Sequence, residues 1–201
     1  MNAWQRAIGL IRAHRRAYLA INAGYYGLVL GGMIVTALAP ALQQRLLLHM
    51  RDAFHSGMLA RVTEAYQSGN VARAALLTFL VNSALGAFAV ITLPSALIPF
   101  AGCFTAAVRA VLWGVMLSPT SPTLLLVMLP HSLVLLLEGQ GYVLAAFGAW
   151  LWARSYIDPA GGGYGAGLRA CLRIYCLVLP VLAVAAVYEA VEVIGMSALR
   201  R

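Results

Sequence analysis

The sequence predicts an all-α protein, a polytopic bundle of transmembrane helices, and three observations carry that prediction. Of 201 residues, 62% are hydrophobic and only 10% are charged, and the mean hydropathy of +0.84 is far from the balance of a soluble domain. The apolar residues gather in runs of membrane-spanning length, broken by Pro, Gly and Arg. The charges fall mostly between those runs: fourteen basic residues, all arginine, against six acidic ones, for a net charge of +8. In a soluble chain that surplus would suggest nucleic acid. Here it reads as topology and headgroup contacts, and Lys-free, Ala-rich usage is also what a GC-rich genome produces.

At about 20 residues per span the chain holds roughly four to six spans, a single membrane domain with little left for a soluble one. The N-terminal stretch, residues 1–16, carries Arg6, Arg12, Arg15 and Arg16 ahead of a first span at 17–41. That run is long enough to cross with tilt, at roughly 37 Å of helix. It is too long for the apolar region of a signal peptide, so it reads as a retained span.

Residues 42–70 form the long polar segment. Leu46, Met50, Phe54, Met58, Val62 and Tyr66 recur in it every four residues, the pattern of an amphipathic helix lying on the membrane surface. His49 and His55 stand six apart, off any common helix face, and read as solvated rather than as a metal pair. Pro and Gly then set off spans at 72–93, 100–117, 124–152 and 171–194, separated by "PSALIP", the repeat "SPTSPT" and the glycine-rich "DPAGGGYGAG". The total is about five spans, with six, including a re-entrant piece near Pro94 and Pro99, as the alternative. The four-arginine cluster before the first span places the N-terminus in the cytoplasm and residues 42–70 on the opposite side.

Cys103, Cys171 and Cys176 lie inside apolar runs without CxxC or His spacing, so no metal, cofactor or disulfide framework is expected. Ionisable residues inside spans are costly and mark sites that need partners. Arg109, His131 and Glu138 are the main candidates, with Asn22 and Asn82 as milder ones suited to interhelical hydrogen bonds. Glu189 and Glu192 read as last-turn residues that reach the headgroups. Depth counted from "SPTSPT" brings Arg109 and Glu138 together as a neutralising pair, with the side chains leaning toward each other and His131 as a neutral partner at its shallow edge.

"LPHSLVLLLEGQGYVLAAFGAW" resembles the signature of the stage II sporulation protein M-like integral membrane protein family, in which a span opens with a Pro-His pair, here Pro130 and His131, followed by a glutamate and small residues. The preceding "FLVNSALGAFAVITLPSALIPFAGCFTAAVRAVLWGVML" is similar to the family's preceding helices, with Asn82 on one and Gly114 late in the next. The likeness covers most of 71–152. Glu138 follows His131 by seven residues, close to two turns, which returns it to the same face but about 10.5 Å along the axis, too far for a direct hydrogen bond.

The resemblance implies a non-catalytic scaffold, anchor or accessory subunit of a cell-envelope or peptide-export complex in the bacterial cytoplasmic membrane. No Walker motif is present, so an ATP-driven role needs a partner such as an ABC-type ATPase. The expected partners are the lipid bilayer, other membrane or envelope proteins and a second copy of the chain, not nucleic acid. A different class is a transporter subunit for a lipid or hydrophobic peptide whose path includes Arg109, His131 and Glu138, with Gly139 and Gly141 loosening the helix beside the charge. A third class, an intramembrane hydrolase with Glu138 as base and His131 as acid or ligand, lacks a visible nucleophile or metal motif.

Overall fold

Local sequence signals start and stop the helices. Asn2 caps α1 (Ala3–Ala13) in a reciprocal capping box with Gln5, and a single residue, His14, separates it from α2 (Arg15–Leu38). The computed structural model describes residues 2–54 and 57–199, all-α with no strand among them. After α2 come α3 (Pro40–Phe54) and α4 (Gly57–Gln67). Asn70 caps α5 (Val71–Leu80), which continues as a π-helical segment, Val81–Thr92, and a 3-10 turn, Leu93–Ala96. Phe100, in the left-handed region at φ 62°, turns the chain into α6 (Ala101–Met116). Ser121 caps α7 (Pro122–Ile157), with Pro122 at its first position, and α8 (Gly163–Leu199) follows a short turn.

Four helical stretches, Arg15–Leu38, Val71–Ala96, Leu124–Ile157 and Gly163–Ala198, are long and apolar enough to cross a membrane. The expected span at 100–117 is the shorter apolar α6, whose 16 residues rise about 24 Å, less than the ~30 Å hydrocarbon core. Residues 97–100 are a tight turn rather than a further crossing. The glycine-rich stretch expected to be a linker is helical from Gly163 onward, so α8 starts before the predicted span at 171 and ends after 194. The segment expected as one amphipathic helix is two, α3 and α4, on either side of positions 55 and 56. His55 lies outside the described residues.

Helix α7 is the axis of the bundle. Its stretch from Tyr142 to Phe147 is almost free of solvent contact, and it packs against α8, α2, α6 and the π-helical segment. Helix α6 lies mainly on α2, and α5 on α8. The α2–α6 contact is backbone to backbone: a Cβ at Gly114 would collide with the Val29 carbonyl, and one at Gly32 with the Val111 carbonyl. Thus α7 is flanked by two helix pairs that splay apart.

At one end the pairs are tied together directly. There the turn after α5 meets α6 through Ser95, whose hydroxyl accepts from the Gly102 amide at 2.8 Å, and Tyr156 of α7 donates to the Ser95 carbonyl. At the other end α3 seals the C-terminus of α6. The buried Gln43 side chain donates to the carbonyls of Met116 and Ser118, at 3.0 and 2.9 Å, and accepts from the Thr120 hydroxyl at 2.8 Å. The Met116 carbonyl is among the orphan carbonyls that every helix end must satisfy.

Candidate functional site

Between the splayed pairs lies a cavity of about 680 Å³. One wall is the α5 side, with Asn82, Leu85 and Gly86; the opposite wall is α6, with Phe104, Val108 and Arg109. The floor is α7, through His131, Val134 and Glu138, and α8 contributes Glu189. Helices α3 and α4 cover the open end with Leu46, Met50, Leu59 and Val62. Leu46, Met50 and Val62 belong to the four-residue apolar period, so the amphipathic face turns onto the bundle and roofs the cavity.

The π-helical winding explains how one helix lines so much of the wall. Val81, Leu85, Gly86 and Val90 all face the cavity. On an α-helix, at about 100° per residue, Val90 would sit about 180° from Val81. Bonding from i to i+5 takes roughly four to five residues per turn and keeps them on one side.

Arg109 and Glu138 meet across the cavity, with Arg109 Nη2 3.9 Å from Glu138 Oε1. The contact is bridged rather than direct. Arg109 Nη2 donates to the Tyr142 hydroxyl at 2.7 Å, and that hydroxyl donates to Glu138 Oε1 at 2.6 Å. The guanidinium also lies 4.1 Å from the Tyr142 ring centre and 5.2 Å from that of Trp113, so two π faces share its charge. The Glu138 side chain is 8% exposed. Charge pairing and charge-assisted hydrogen bonds offset the desolvation of both ions.

His131 does not serve that pair. Its Nδ1 lies 3.2 Å from Glu192 Oε2, and the Glu192 side chain is only 5% exposed. The expectation that Glu189 and Glu192 reach the headgroups is therefore corrected: Glu189 lines the cavity and Glu192 meets His131, and their i, i+3 spacing turns both toward the bundle. Glu189 lies beside Tyr66 of α4, whose hydroxyl is 3.1 Å from that of Thr78. Burial first, and the Glu189 charge next, hold the Tyr66 phenol above its ordinary range, so it stays a protonated donor.

The other candidates fall into place differently. Asn82 lines the cavity. Asn22 is not an interhelical contact: its side-chain amide donates to the Tyr18 carbonyl of its own helix. Pro130 sits inside α7, where its carbonyl accepts from Tyr188 of α8. Gly139 and Gly141 do not loosen α7, which is continuous through both. They admit the rings of Tyr25 and Tyr26 and the side chain of Leu182. Among the described residues no group of three His, Cys, Asp or Glu is placed to hold a metal. No protein-family model, curated protein or solved structure matches the chain, so no family is assigned and the site stands on its geometry.

Proposed function

We propose that this chain is a membrane-embedded, non-catalytic binding subunit that holds one small amphiphile in the covered cavity, as part of a transport or envelope complex in the bacterial cytoplasmic membrane. The observation that carries the reading is the cavity itself. Its volume of about 680 Å³ lies within the ~300–1,000 Å³ of sites that take one small organic molecule, and such sites combine apolar walls with a few placed polar groups. Here those groups are Arg109, Glu138, Glu189 and Asn82. A role as a transporter subunit uses the cavity, whereas the scaffold role implied by the resemblance does not need it.

Hydrolysis has less support from the same geometry. Glu138 is engaged by Tyr142 and Arg109, and His131 by Glu192. Of the threonine hydroxyls in the wall, Thr105 donates to the Gly102 carbonyl and Thr78 is bonded to Tyr66. None of these is paired with a base in the manner of an activated nucleophile.

Native mass spectrometry of the protein released from lipid nanodiscs tests the binding reading. One bound amphiphile per chain is expected, and it should be lost when Val108→Trp fills the cavity. The same adduct on both proteins would place it outside the cavity and overturn the reading. A mild-detergent pull-down addresses the complex: an ATPase partner supports transport, and an envelope hydrolase in its place supports scaffolding.

A further inference from the structure

The charges inside the bundle do not balance. Arg109, His131, Glu138 and Glu189 line the cavity, and Glu192 stands behind His131. Arg109 is matched to Glu138 and His131 to Glu192. Two basic side chains thus face three acidic ones. Among the described residues Glu189 has no basic partner: the acidic side chains of Glu138 and Glu192 are near it, and Tyr66 offers it one neutral hydrogen bond. A buried carboxylate is retained where something in the site answers its charge.

We propose that the occupant is a cationic amphiphile, a single-chain molecule whose ammonium head pairs with Glu189 and whose tail lies along the Phe104, Val108 and Leu112 stripe of α6. This rests on the reading of the cavity as an amphiphile site. A carboxylate presents about four acceptor positions, and Tyr66 takes one, which leaves room for one or two N–H donors of a primary ammonium. Phe104, Val108 and Leu112, spaced by four, form one face of α6 in the cavity wall, and they are 70%, 43% and 41% exposed. An anionic head is disfavoured twice over. Acidic side chains outnumber basic ones once Glu192 behind His131 is counted, and the guanidinium of Arg109 already faces Glu138 and the rings of Tyr142 and Trp113.

The test measures equilibrium binding of radiolabelled dodecylammonium, dodecanol and dodecyl sulfate to the full chain in nanodiscs of zwitterionic lipid, with Val108→Trp discs subtracting partition into the bilayer. Dodecylammonium is expected to bind at least about tenfold more tightly than either probe of the same tail, a difference of about 1.4 kcal/mol. Glu189→Gln should remove that preference, and Glu189→Asp should keep most of it. Equal saturable binding of all three probes, or a preference for the sulfate, would overturn the cationic assignment while leaving the amphiphile site standing. Absence of saturable binding above the Val108→Trp blank would overturn both. Because the wild-type comparison of heads decides by itself, the inference stays testable if the Glu189 variants fail to fold.

Discussion

Arg109 and Glu138 were legible because each interrupts an apolar run and the "SPTSPT" turn fixes their depths from a common origin. The phenol that joins them was not, because a tyrosine in a span ordinarily signals nothing. Its clue was the spacing, since Tyr142 follows Glu138 by four residues and so shares its face. Each ion is desolvated for the other, so removing one partner strands a buried charge, which typically costs about 3–5 kcal/mol, whereas removing both together is often close to neutral. Arg109→Leu or Glu138→Leu alone is therefore expected to reduce the folded yield and the melting temperature sharply. The double variant should recover most of both. Strictly additive losses in thermal unfolding would show that the two residues do not act as a pair. Glu189 and Glu192 were misplaced for a different reason: their place near the end of the last apolar run says nothing of the helix face that turns them toward the bundle.

At the scale of elements, the helical runs and the breaks at "PSALIP" and "SPTSPT" were read from the sequence, but the winding of the helix after α5 was not. Nothing in Val81–Thr92 distinguishes π-helical from α-helical winding, because both periods carry an unbroken apolar run, and within that segment Gly86 lies directly against the Tyr142 ring. The four-residue apolar period at 42–70 showed that the segment is amphipathic but not what its apolar face covers. The decisive residue there is polar. Gln43, 5% exposed, holds α3 across the end of α6 through three hydrogen bonds. Gln43→Ala would leave the Met116 and Ser118 carbonyls without that donor, at about 1–3 kcal/mol for an unsatisfied buried group. With about 2–4 °C per kcal/mol for a chain of this size, the melting temperature should fall by several degrees. Gln44→Ala, at an exposed neighbouring position, should leave it unchanged. If the Gln43 and Gln44 variants melt together, α3 is not fastened to the bundle as described.

For the whole molecule, arginines and contacts sort the two ends of the bundle. At one end the ring of His14 meets Trp150, 5.5 Å between centroids, and Arg154 lies over the same indole. The turn after α5 is held there too, because Tyr164 donates to the Ala96 carbonyl. Arg6, Arg12, Arg15, Arg16, Arg154, Arg169 and Arg173 all belong to segments at that end, while Arg45, Arg51, Arg61 and Arg73 go with α3, α4 and the start of α5 at the other. Among the described residues that is seven arginines against four, and seven against six once Arg200 and Arg201 of the sequence are counted, so the cluster of four just before the first span carries the expectation that the first end is cytoplasmic by the positive-inside rule. The α3–α4 roof and the cavity mouth beneath it are then expected to face outward. Two exposed positions, Ala160 and Ser68, mark the two ends. With Cys103, Cys171 and Cys176 replaced, a cysteine at Ala160 should react with a membrane-impermeant maleimide only after the membrane is opened, and a cysteine at Ser68 should react in intact spheroplasts. The reverse pattern would invert the orientation and turn the covered cavity toward the cytoplasm. Labelling of both positions from the same side would contradict the end-to-end arrangement itself, since an odd number of crossings, with α6 counted as the short one, must separate them.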